Sequence, residues 1–287
     1  MEIIRTLAQL REYLKDESCI AFVPTMGGLH AGHIDLTRIA RAHLEKMQHA
    51  DESDGGCVVV SIFVNRLQFG PNEDFGKYPR TLSADCDKCL VADVNVVFVP
   101  DESVLYPEPQ TYLVEPPEIQ NILEGAVRPG HYRGVATVVL KLFNMVQPQI
   151  AVFGKKDYQQ CRVLDNMVRQ LNLPIEMVLA ETVRAADGLA LSSRNSYLNA
   201  TARVEAPQLN AVLRGIESAM RKGGRDFAVL EENAMDLLKQ RGWQPDYVAI
   251  RRQADLMLPS VNDRSLVVLT AARLDTTRLI DNVEVSM

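Results

Sequence analysis

The sequence predicts an α/β protein: a doubly wound parallel sheet followed by a second, smaller α+β domain. Two patterns along its 287 residues carry this prediction. As far as about residue 180, short apolar runs rich in β-branched residues alternate with segments of helical period, which is the rhythm of repeated βαβ units. Beyond about residue 185 the alternation ends, and two helical segments precede three short strand candidates.

The elements of the first domain follow one another in a regular order. The run CVVVSIFV is apolar almost throughout, as expected of a strand buried on both faces of a parallel sheet. Residues 49–57, HADESDGGC, are acidic and contain glycine, so we expect an exposed loop without chemistry there. The predicted strands are 19–23, 57–64, 94–99, 150–153 and 175–180, and the predicted helices are 36–47, 82–92, 134–146 and 157–172.

The second domain contains its predicted helices first and its predicted strands afterwards. Short strands without helices between them indicate a mostly antiparallel sheet. The helices are expected at 205–222 and 228–242, and the strands at 246–251, 265–272 and 277–285. The boundary is expected near AADGLALSSRN, which divides the chain into domains 1–185 and 186–287.

The composition argues against several classes of protein. Lys and Arg number 31 against 37 Asp and Glu, a net charge of −6, so we expect no nucleic-acid partner. No apolar run approaches the roughly 20 residues that cross a bilayer, and the N-terminal residues do not resemble a signal peptide. We therefore expect a cytoplasmic protein without a membrane partner. The five cysteines are scattered and favour reduced thiols, and the CxxC pair Cys86 and Cys89 indicates two positions on one helix face.

The first candidate site is the segment PTMGGLHAGH, residues 24–33, directly after the first predicted strand. A glycine-containing turn between a strand and a helix is where parallel sheets bind phosphates, because free backbone N–H groups and the helix dipole point there. His30 and His33 add two imidazoles beside that turn. The segment contains neither the Walker A motif nor the dinucleotide motif GxGxxG. The pattern therefore predicts an anion site built around HxGH.

Five further motifs accompany HxGH and give the sequence a resemblance to a known family. HxGH at this junction is typical of the nucleotidyltransferase superfamily, whose members attack the α-phosphate of ATP or CTP and release pyrophosphate. FVNRLQF, YPRT with Asp85, RPGHYRGV, FGKKDYQQ and LALSSRNSYL follow in the order and at the spacing of the pantoate–β-alanine ligases. From about Ile3 to Val283 the sequence resembles that family, which implies a Rossmann-like first domain that binds ATP and pantoate and a C-terminal lid domain.

The resemblance also implies a reaction in two steps. Pantoate and ATP give pantoyl adenylate and pyrophosphate, and β-alanine then displaces AMP to form the amide, pantothenate. Mg²⁺ is implied because it accompanies ATP and neutralises the leaving pyrophosphate. The resemblance further implies a homodimer joined through the first domain.

Individual roles follow from the same resemblance. His30 and His33 would contact the triphosphate, with His33 as the proton donor and Lys156 near the phosphates, whereas Lys155 is expected to be exposed. The SSR segment of the second domain would clamp the phosphates and close as a lid. The residues implied to bind the nucleotide are Met26, Gly27, Gly28, Leu29, His30, Ala31, Gly32, His33, Gly154, Lys155, Lys156, Asp157, Val183, Leu191, Ser192, Ser193 and Arg194.

The acid substrate and the metal have their own candidates. Gln68 and Gln160 resemble the pair that holds pantoate, and neutral amides orient a carboxylate nucleophile without the loss of electron density that a salt bridge causes. Asn65 is a further candidate because it follows a strand at the ligand edge of the sheet. Asp85 resembles a metal-side carboxylate of the family, and its alternative is a helix-surface aspartate. We expect RPGHYRGV to cover the site or to brace the dimer, without a catalytic step.

One position departs from the family pattern. Proline usually follows the asparagine of FVNRLQF, whereas this chain has Arg66. The change removes a fixed φ angle and adds a permanent charge near the expected pantoate pocket. An inward guanidinium would strengthen acid binding and blunt the nucleophile, whereas an outward one would change little.

Two other functions stay open at this stage. One is a different HxGH nucleotidyltransferase, acting on a nucleotide or on phosphopantetheine, although such a protein would be expected to lack the paired glutamines and LALSSRN. The other is a nucleotide-binding regulator that has lost turnover. His30, His33, Lys156 and Arg194 argue against the regulator, and Arg66 is the feature that keeps it open.

Overall fold

The computed structural model describes residues 1–47 and 56–287. Within those ranges the strands form two sheets, one of six parallel strands and one of three antiparallel strands. The predicted fold class is therefore confirmed. Of the loop predicted at 49–57, all but Gly56 and Cys57 lies outside the described residues.

The first sheet positions the ligand crevice. Its strands are β1 (Glu2–Ile4), β2 (Ile20–Thr25), β3 (Cys57–Ile62), β4 (Val96–Phe98), β5 (Ile150–Gly154) and β6 (Glu176–Ala180). They lie in the order β1-β4-β3-β2-β5-β6, so the winding reverses between β2 and β5. The loops after these two strands diverge at the reversal, which is where open α/β sheets bind their ligands.

Helices cover both faces of this sheet. They are α1 (Leu7–Leu14), α2 (Ala31–Met47), α3 (Leu82–Val91), α4 (Glu102–Leu105), α5 (Glu124–Val127), α6 (His131–Val146) and α7 (Tyr158–Gln170). Phe22 and Phe98 pack in one core with α1, α6 and α7, whereas Ala21 and Val97 point into another core with α2 and α3. Each large apolar side chain buried in this way contributes about 1.5–3 kcal/mol to folding.

The strand β1 was not predicted, and its length explains why. It has three residues and pairs with β4 at the edge of the sheet. Ile3 is about half exposed and only Ile4 is buried, so the segment lacks the apolar run of a central strand. Pairing with β4, rather than local sequence, therefore decides its structure.

The second domain places a three-stranded sheet between two cores. Its elements are α8 (Ala200–Glu205), α9 (Gln208–Arg221), α10 (Phe227–Gln240), β7 (Gln244–Arg252), β8 (Ser265–Leu274) and β9 (Thr277–Ser286). One face of the sheet packs against α9 and α10 through Ile250 and Val268. The other face places Ala249, Val267 and Leu269 in the core of the first domain. The two parts of the chain thus share apolar packing.

The helix predicted at 205–222 is confirmed as α9, which begins three residues later than predicted. Helix α8 ends at Glu205, and α9 begins at Gln208, directly after Pro207. Ala206 and Pro207 both keep helical backbone angles, but the proline ring cannot donate the hydrogen bond that would continue α8 into α9. The short helix α8 before this break was not predicted.

The cysteines are all free and buried. Cys86 and Cys89 lie on α3 in one hydrophobic core, as the sequence predicted for a shared helix face. In residues 1–47 and 56–287, no group of three or more His, Cys, Asp or Glu is placed to hold a metal ion. In the same part of the chain, no helix is both long and apolar enough to span a membrane.

Candidate active site

One large cavity opens beside the turns that follow β3 and β5 and extends to β9 of the second domain. Its volume is about 1220 Å³, and residues from both domains line it. No residue of the segment 24–33 lines this cavity, but Met26 contacts a residue that does: its Sδ accepts a hydrogen bond from the Gln68 amide at 3.2 Å. The predicted site residues that line the cavity are Gln68, Lys156, Asp157, Gln160, Ser192 and Arg194.

The turn after β2 depends on two glycines with left-handed backbone. Gly27 has φ of +84° and Gly28 has φ of +63°, values that side chains with a Cβ rarely adopt. The backbone N–H groups of Gly28 and Leu29 donate to the two oxygens of Asp85 at 2.9 and 2.8 Å. The expectation of free N–H groups in this turn is therefore wrong for these two residues, because a carboxylate of the protein already accepts both.

Asp85 is a buried brace of that turn. It is completely inaccessible to solvent, so the alternative of a helix-surface aspartate is wrong. Besides the two backbone donors it accepts from Thr81 Oγ1 at 3.1 Å, and Lys88 Nζ lies 3.9 Å away. A carboxylate with these donors and no exposed surface does not fit a direct ligand of Mg²⁺, a cation that keeps several waters.

The rings of His30 and His33 lie against each other, and each ring uses its Nδ1 atom as a hydrogen-bond acceptor. Their ring centroids are 4.1 Å apart. His30 Nδ1 accepts from the Gly32 backbone N–H at 3.1 Å, and His33 Nδ1 accepts from the His30 backbone N–H at 3.3 Å. Because both Nδ1 atoms are acceptors, the neutral rings carry their proton on Nε2 and offer it as a donor. A Cβ at Gly32 would lie 2.9 Å from the His30 ring, which explains the glycine of HxGH.

Both imidazoles are neutral at pH 7 in this structure. Loss of hydration, the neighbouring His33 and the charge of Lys156 lower the pKa of His30 to about 3. Loss of hydration and the charges of Lys156 and Lys88 lower the pKa of His33 to about 4. The same cations that disfavour protonated rings attract an anionic ligand to this place.

The turn after β5 brings one lysine to the cavity and turns the other away. Lys156 lines the cavity, with its Nζ 3.7 Å from Asp157. Lys155 is mostly buried, and its Nζ donates to Glu181 at 2.6 Å and Glu284 at 2.9 Å. The expectation of an exposed Lys155 is therefore wrong, because it links the first sheet to β9. Gly154 ends β5, and its carbonyl accepts from Cys161 Sγ.

The SSR segment of the second domain lies against the first domain. A Cβ at Gly28 would lie 3.2 Å from Ser193 Cβ, so this glycine permits their close approach. Ser193 Oγ is 3.1 Å from the hydroxyl of Tyr78. Arg194 donates through Nε and Nη2 to the two oxygens of Asp74, each at 2.9 Å. The segment is thus held beside the HxGH turn by groups of the first domain.

The remaining nucleotide candidates lie next to the same turn. Leu191 N donates to the Val183 carbonyl at 3.0 Å, which fixes the chain between the two domains. Val183 in turn packs beside Gly32, since a Cβ at that glycine would lie 3.7 Å from the Val183 Cβ. Ala31 begins α2 directly after His30.

Two of the predicted pantoate residues contact each other. Asn65 Nδ2 donates to Gln68 Oε1 at 3.0 Å and to the Gly134 carbonyl at 3.2 Å. Both side chains are buried, at the start and end of the 3-10 turn that follows β3. Gln160 lies on α7 and lines the cavity. The structure therefore brings the two glutamine side chains to one cavity.

Arg66 points away from that cavity. Its guanidinium donates to Glu102 at 3.1 and 3.3 Å and lies 4.7 Å from the centroid of the Phe75 ring. The side chain is 62% exposed, which places the charge in solvent. The outward alternative for Arg66 is therefore the one that the structure adopts.

Several site residues were missed by sequence reasoning. Asp74 was not singled out, and Asp281, which accepts both Nη groups of Arg184 at 2.7 and 2.8 Å, was not either. Glu124 of α5 accepts both Nη groups of Arg278 on β9 at 2.6 and 2.8 Å. These pairs join residues about a hundred or more positions apart, so no local spacing could have revealed them.

The fold and this site define an α/β nucleotide-binding enzyme with an HxGH turn at the switch point of its sheet. The chain belongs to the family described as pantoate-beta-alanine ligase, whose model matches residues 2–284. The family and the ligase class predicted from the sequence are thus confirmed, and its reaction is the ligation of pantoate with β-alanine.

Similar proteins cover the whole chain. The pantothenate synthetase of Nitrosospira multiformis is 55% identical over 286 residues, covering 100% of this chain and 99% of that protein. The pantothenate synthetase of Nitrosomonas europaea is 55% identical over 282 residues, 98% of each chain.

Solved structures agree in fold. Pantothenate synthetase from Thermus thermophilus has a TM-score of 0.91 at 41% identity, with 100% of both chains covered. The pantoate-beta-alanine ligase from Francisella tularensis, complexed with beta-gamma ATP and beta-alanine, has a TM-score of 0.77 at 32% identity, covering 99% of this chain and 97% of that one.

Proposed function

We propose that the chain condenses pantoate with β-alanine in two steps through a pantoyl-adenylate intermediate. The observation that carries the proposal is the convergence of two cations and two neutral amides on one cavity: Lys156 and Arg194 with Gln68 and Gln160. Cations suit a triphosphate, and amides suit a carboxylate that must stay nucleophilic. ATP and β-alanine are the ligands named for the Francisella protein, which supports the same substrates here.

In the first step a carboxylate oxygen of pantoate attacks the α-phosphorus of ATP. The bond from that phosphorus to the bridging oxygen breaks, and pyrophosphate leaves with the electron pair. His30 and His33, as neutral rings, would donate hydrogen bonds from Nε2 to phosphate oxygens. His33, the proton donor of the family pattern, would meet the leaving pyrophosphate in this way without releasing its proton. Lys156, Ser192, Ser193 and Arg194 would hold the phosphates and stabilise their developing charge. Catalysis then consists largely of positioning and electrostatics.

In the second step the amine of β-alanine attacks the acyl carbon of the adenylate. AMP leaves with the electron pair of the acyl–oxygen bond, and the amine loses its proton as the amide forms. Gln68, Gln160 and Asn65 would hold the pantoyl group through both steps. The remaining nucleotide candidates, from Met26 to Gly32, Gly154, Lys155, Asp157, Val183 and Leu191, would shape the nucleotide site around them.

In this proposal magnesium binds only as part of the complex with ATP. ATP is used as its Mg²⁺ complex, in which phosphate oxygens and water hold the cation. The donors around Asp85 argue against that carboxylate as a direct ligand, so its proposed role is to shape the HxGH turn. No chemical step of this chain is assigned to the metal.

The proposal keeps the organisation predicted from the sequence. Domain 1–185 would bind ATP and pantoate, and domain 186–287 would close over the triphosphate through its SSR segment. A homodimer through the first domain and a cytoplasmic location are part of the proposal. The free, buried cysteines are compatible with a reducing compartment.

The experiment that tests the proposal follows pyrophosphate release from ATP and magnesium, with and without pantoate and β-alanine. We expect release only when pantoate is present, and pantothenate with AMP only when β-alanine is added. Release that does not depend on pantoate, or ADP in place of AMP, would contradict the proposal. A protein that binds ATP but releases no pyrophosphate would support the regulator instead.

A further inference from the structure

The motif RPGHYRGV has no role in the chemistry proposed above, yet it contacts a residue that does. His131 begins α6 and is buried. Its Nδ1 lies 2.8 Å from the backbone carbonyl oxygen of Gln68, and its Nε2 lies 3.1 Å from Nη1 of Arg128. The ring therefore lies between a candidate pantoate residue and a fixed cation.

These two contacts define a single form of the imidazole. The Gln68 carbonyl can only accept, so Nδ1 must carry a proton. The Arg128 guanidinium can only donate, so Nε2 must keep its lone pair. Burial and the charge of Arg128 lower the pKa of His131 to about 4, which agrees with a neutral ring at pH 7.

Arg128 itself is held in one orientation. Its Nε and Nη2 donate to the two oxygens of Glu73 at 2.8 and 2.6 Å, and its Nη2 lies 3.4 Å from the Gln68 carbonyl. Such a forked ion pair fixes the plane of the guanidinium. Arg128 therefore fixes the His131 ring at its Nε2 side, so that Nδ1 faces the Gln68 carbonyl.

The turn that carries Gln68 lies directly on α6. A Cβ at Gly134 would lie 2.2 Å from the Leu67 carbonyl oxygen, so only glycine allows this approach. Asn65 Nδ2 links the Gly134 carbonyl to Gln68 Oε1. The backbone and the side chain of Gln68 are therefore both fixed by the first turn of α6.

We propose that His131 is a positioning residue: it holds the Gln68 turn so that the Gln68 amide meets pantoate. His131 lines the same cavity, and in this proposal it acts on pantoate binding through Gln68 and not on nucleotide binding. The proposal rests on the role proposed for Gln68.

The test compares three substitutions in the full-length enzyme. His131→Phe keeps a ring but loses the donor, and we expect the KM for pantoate to rise about tenfold while the KM for ATP changes less than about twofold. His131→Asn places an amide N–H near the position of Nδ1 and is expected to return the KM for pantoate to within about threefold of the parent. His131→Gln carries the same amide one carbon further out and, if His131→Phe fails to fold, provides the second comparison.

The matched control is His43→Phe. His43 also bonds a backbone carbonyl through Nδ1, that of Ile39 at 2.9 Å, but lies on α2 outside the site. We expect it to leave both KM values unchanged. The proposal would be overturned if His131→Phe raised both KM values equally. It would also be overturned if His131→Asn folded but was as impaired as His131→Gln.

Gln68→Ala separates this inference from the proposed function. If Gln68→Ala leaves the KM for pantoate unchanged, the role proposed for Gln68 is wrong. If it raises that KM whereas folded His131→Phe and His131→Gln do not, only the positioning role is wrong. In the Gln68→Ala background, His131→Phe is expected to add less than about twofold, since the two act through one contact.

Discussion

At the scale of single residues, four backbone N–H groups of the turn that contains HxGH are accepted by side chains of the protein. The backbone donors of Gly28 and Leu29 are accepted by Asp85, and those of His30 and Gly32 by the Nδ1 atoms of His33 and His30. Each imidazole is left with an Nε2–H. The turn therefore offers a phosphate two ring donors in place of the free backbone N–H groups that the sequence suggested.

The first prediction concerns the groups proposed to meet the phosphates. His33→Ala and Lys156→Ala are each expected to slow adenylation at least about tenfold, since each removes about 1.4 kcal/mol or more of transition-state stabilisation. Pyrophosphate release in a single turnover measures this, with exposed Lys46→Ala as the control. Near-parent rates in both variants would contradict the roles assigned to them.

The second prediction concerns Arg66. Its guanidinium is exposed to solvent and paired with Glu102, and an exposed pair of this kind contributes little to folding. Arg66→Pro should therefore leave the KM for pantoate and the turnover number within about twofold. A large gain in turnover in steady-state assays would show instead that the arginine impairs catalysis.

The third prediction concerns pH. Histidine in an unfolded chain has a pKa of about 6.5, whereas that of His33 is lowered to about 4 and that of His30 to about 3. As pH falls below about 6.5, the unfolded chain binds protons that the folded chain does not, so stability falls. We expect the Tm to drop between about pH 7 and pH 5, and less steeply in the variant His30→Asn/His33→Asn.

The matched control for that experiment is His43→Asn, which leaves the site intact. Its Tm is expected to follow that of the parent at each pH. A double variant whose Tm falls as steeply as the parent's would disprove the account of these two histidines.

At the scale of elements, the sequence predicted those strands and helices that a periodic pattern of buried residues defines. The central strands of the first sheet are apolar runs, and their helices have an apolar stripe, so both were visible locally. Edge strand β1 and the short helix α8 were not, because pairing with β4 decides the first and the missing N–H of Pro207 ends the second. In the site, HxGH was visible as a motif, whereas the bond from the Gly28 and Leu29 N–H groups to Asp85 on α3 was not.

The fourth prediction concerns the link between the SSR segment and the first domain. Asp74→Asn keeps the shape of the side chain but weakens its paired contact with Arg194, so the segment is held less firmly. We expect the adenylation rate to fall about fivefold, because Arg194, moved from its proposed phosphate contact, would lose much of its effect. Asp187→Asn, which disturbs the exposed pair with Arg203, is the control in the same rapid-quench assay. An unchanged or faster Asp74→Asn enzyme would contradict this view.

At the scale of the whole molecule, the two domains are joined by packing and by buried ion pairs. The sheet of the second domain contributes Ala249 and Leu269 to the core of the first. Glu124 with Arg278 and Arg184 with Asp281 cross the same boundary. The sequence predicted two domains but not this shared interior, because the partners lie far apart along the chain.

The fifth prediction follows from that shared interior. Arg278→Met leaves the buried carboxylate of Glu124 without its main partner, which is expected to lower the free energy of unfolding by about 3–5 kcal/mol. Urea unfolding should show one cooperative transition for the parent. Arg214→Met removes a half-exposed arginine from Glu217, which keeps its contact with Arg221, and is expected to cost about 1 kcal/mol or less. Two separate transitions in the parent, or equal costs for both variants, would count against the shared core.

The most direct test of the account follows oxygen atoms. If the carboxylate of pantoate attacks the α-phosphorus of ATP, pantoate labelled with ¹⁸O in both carboxylate oxygens must transfer one labelled oxygen to AMP and keep the other in the amide. Mass spectrometry of AMP and pantothenate after complete turnover measures this. We expect one ¹⁸O in each product, whereas unlabelled AMP, or label in released phosphate, would contradict the adenylate route.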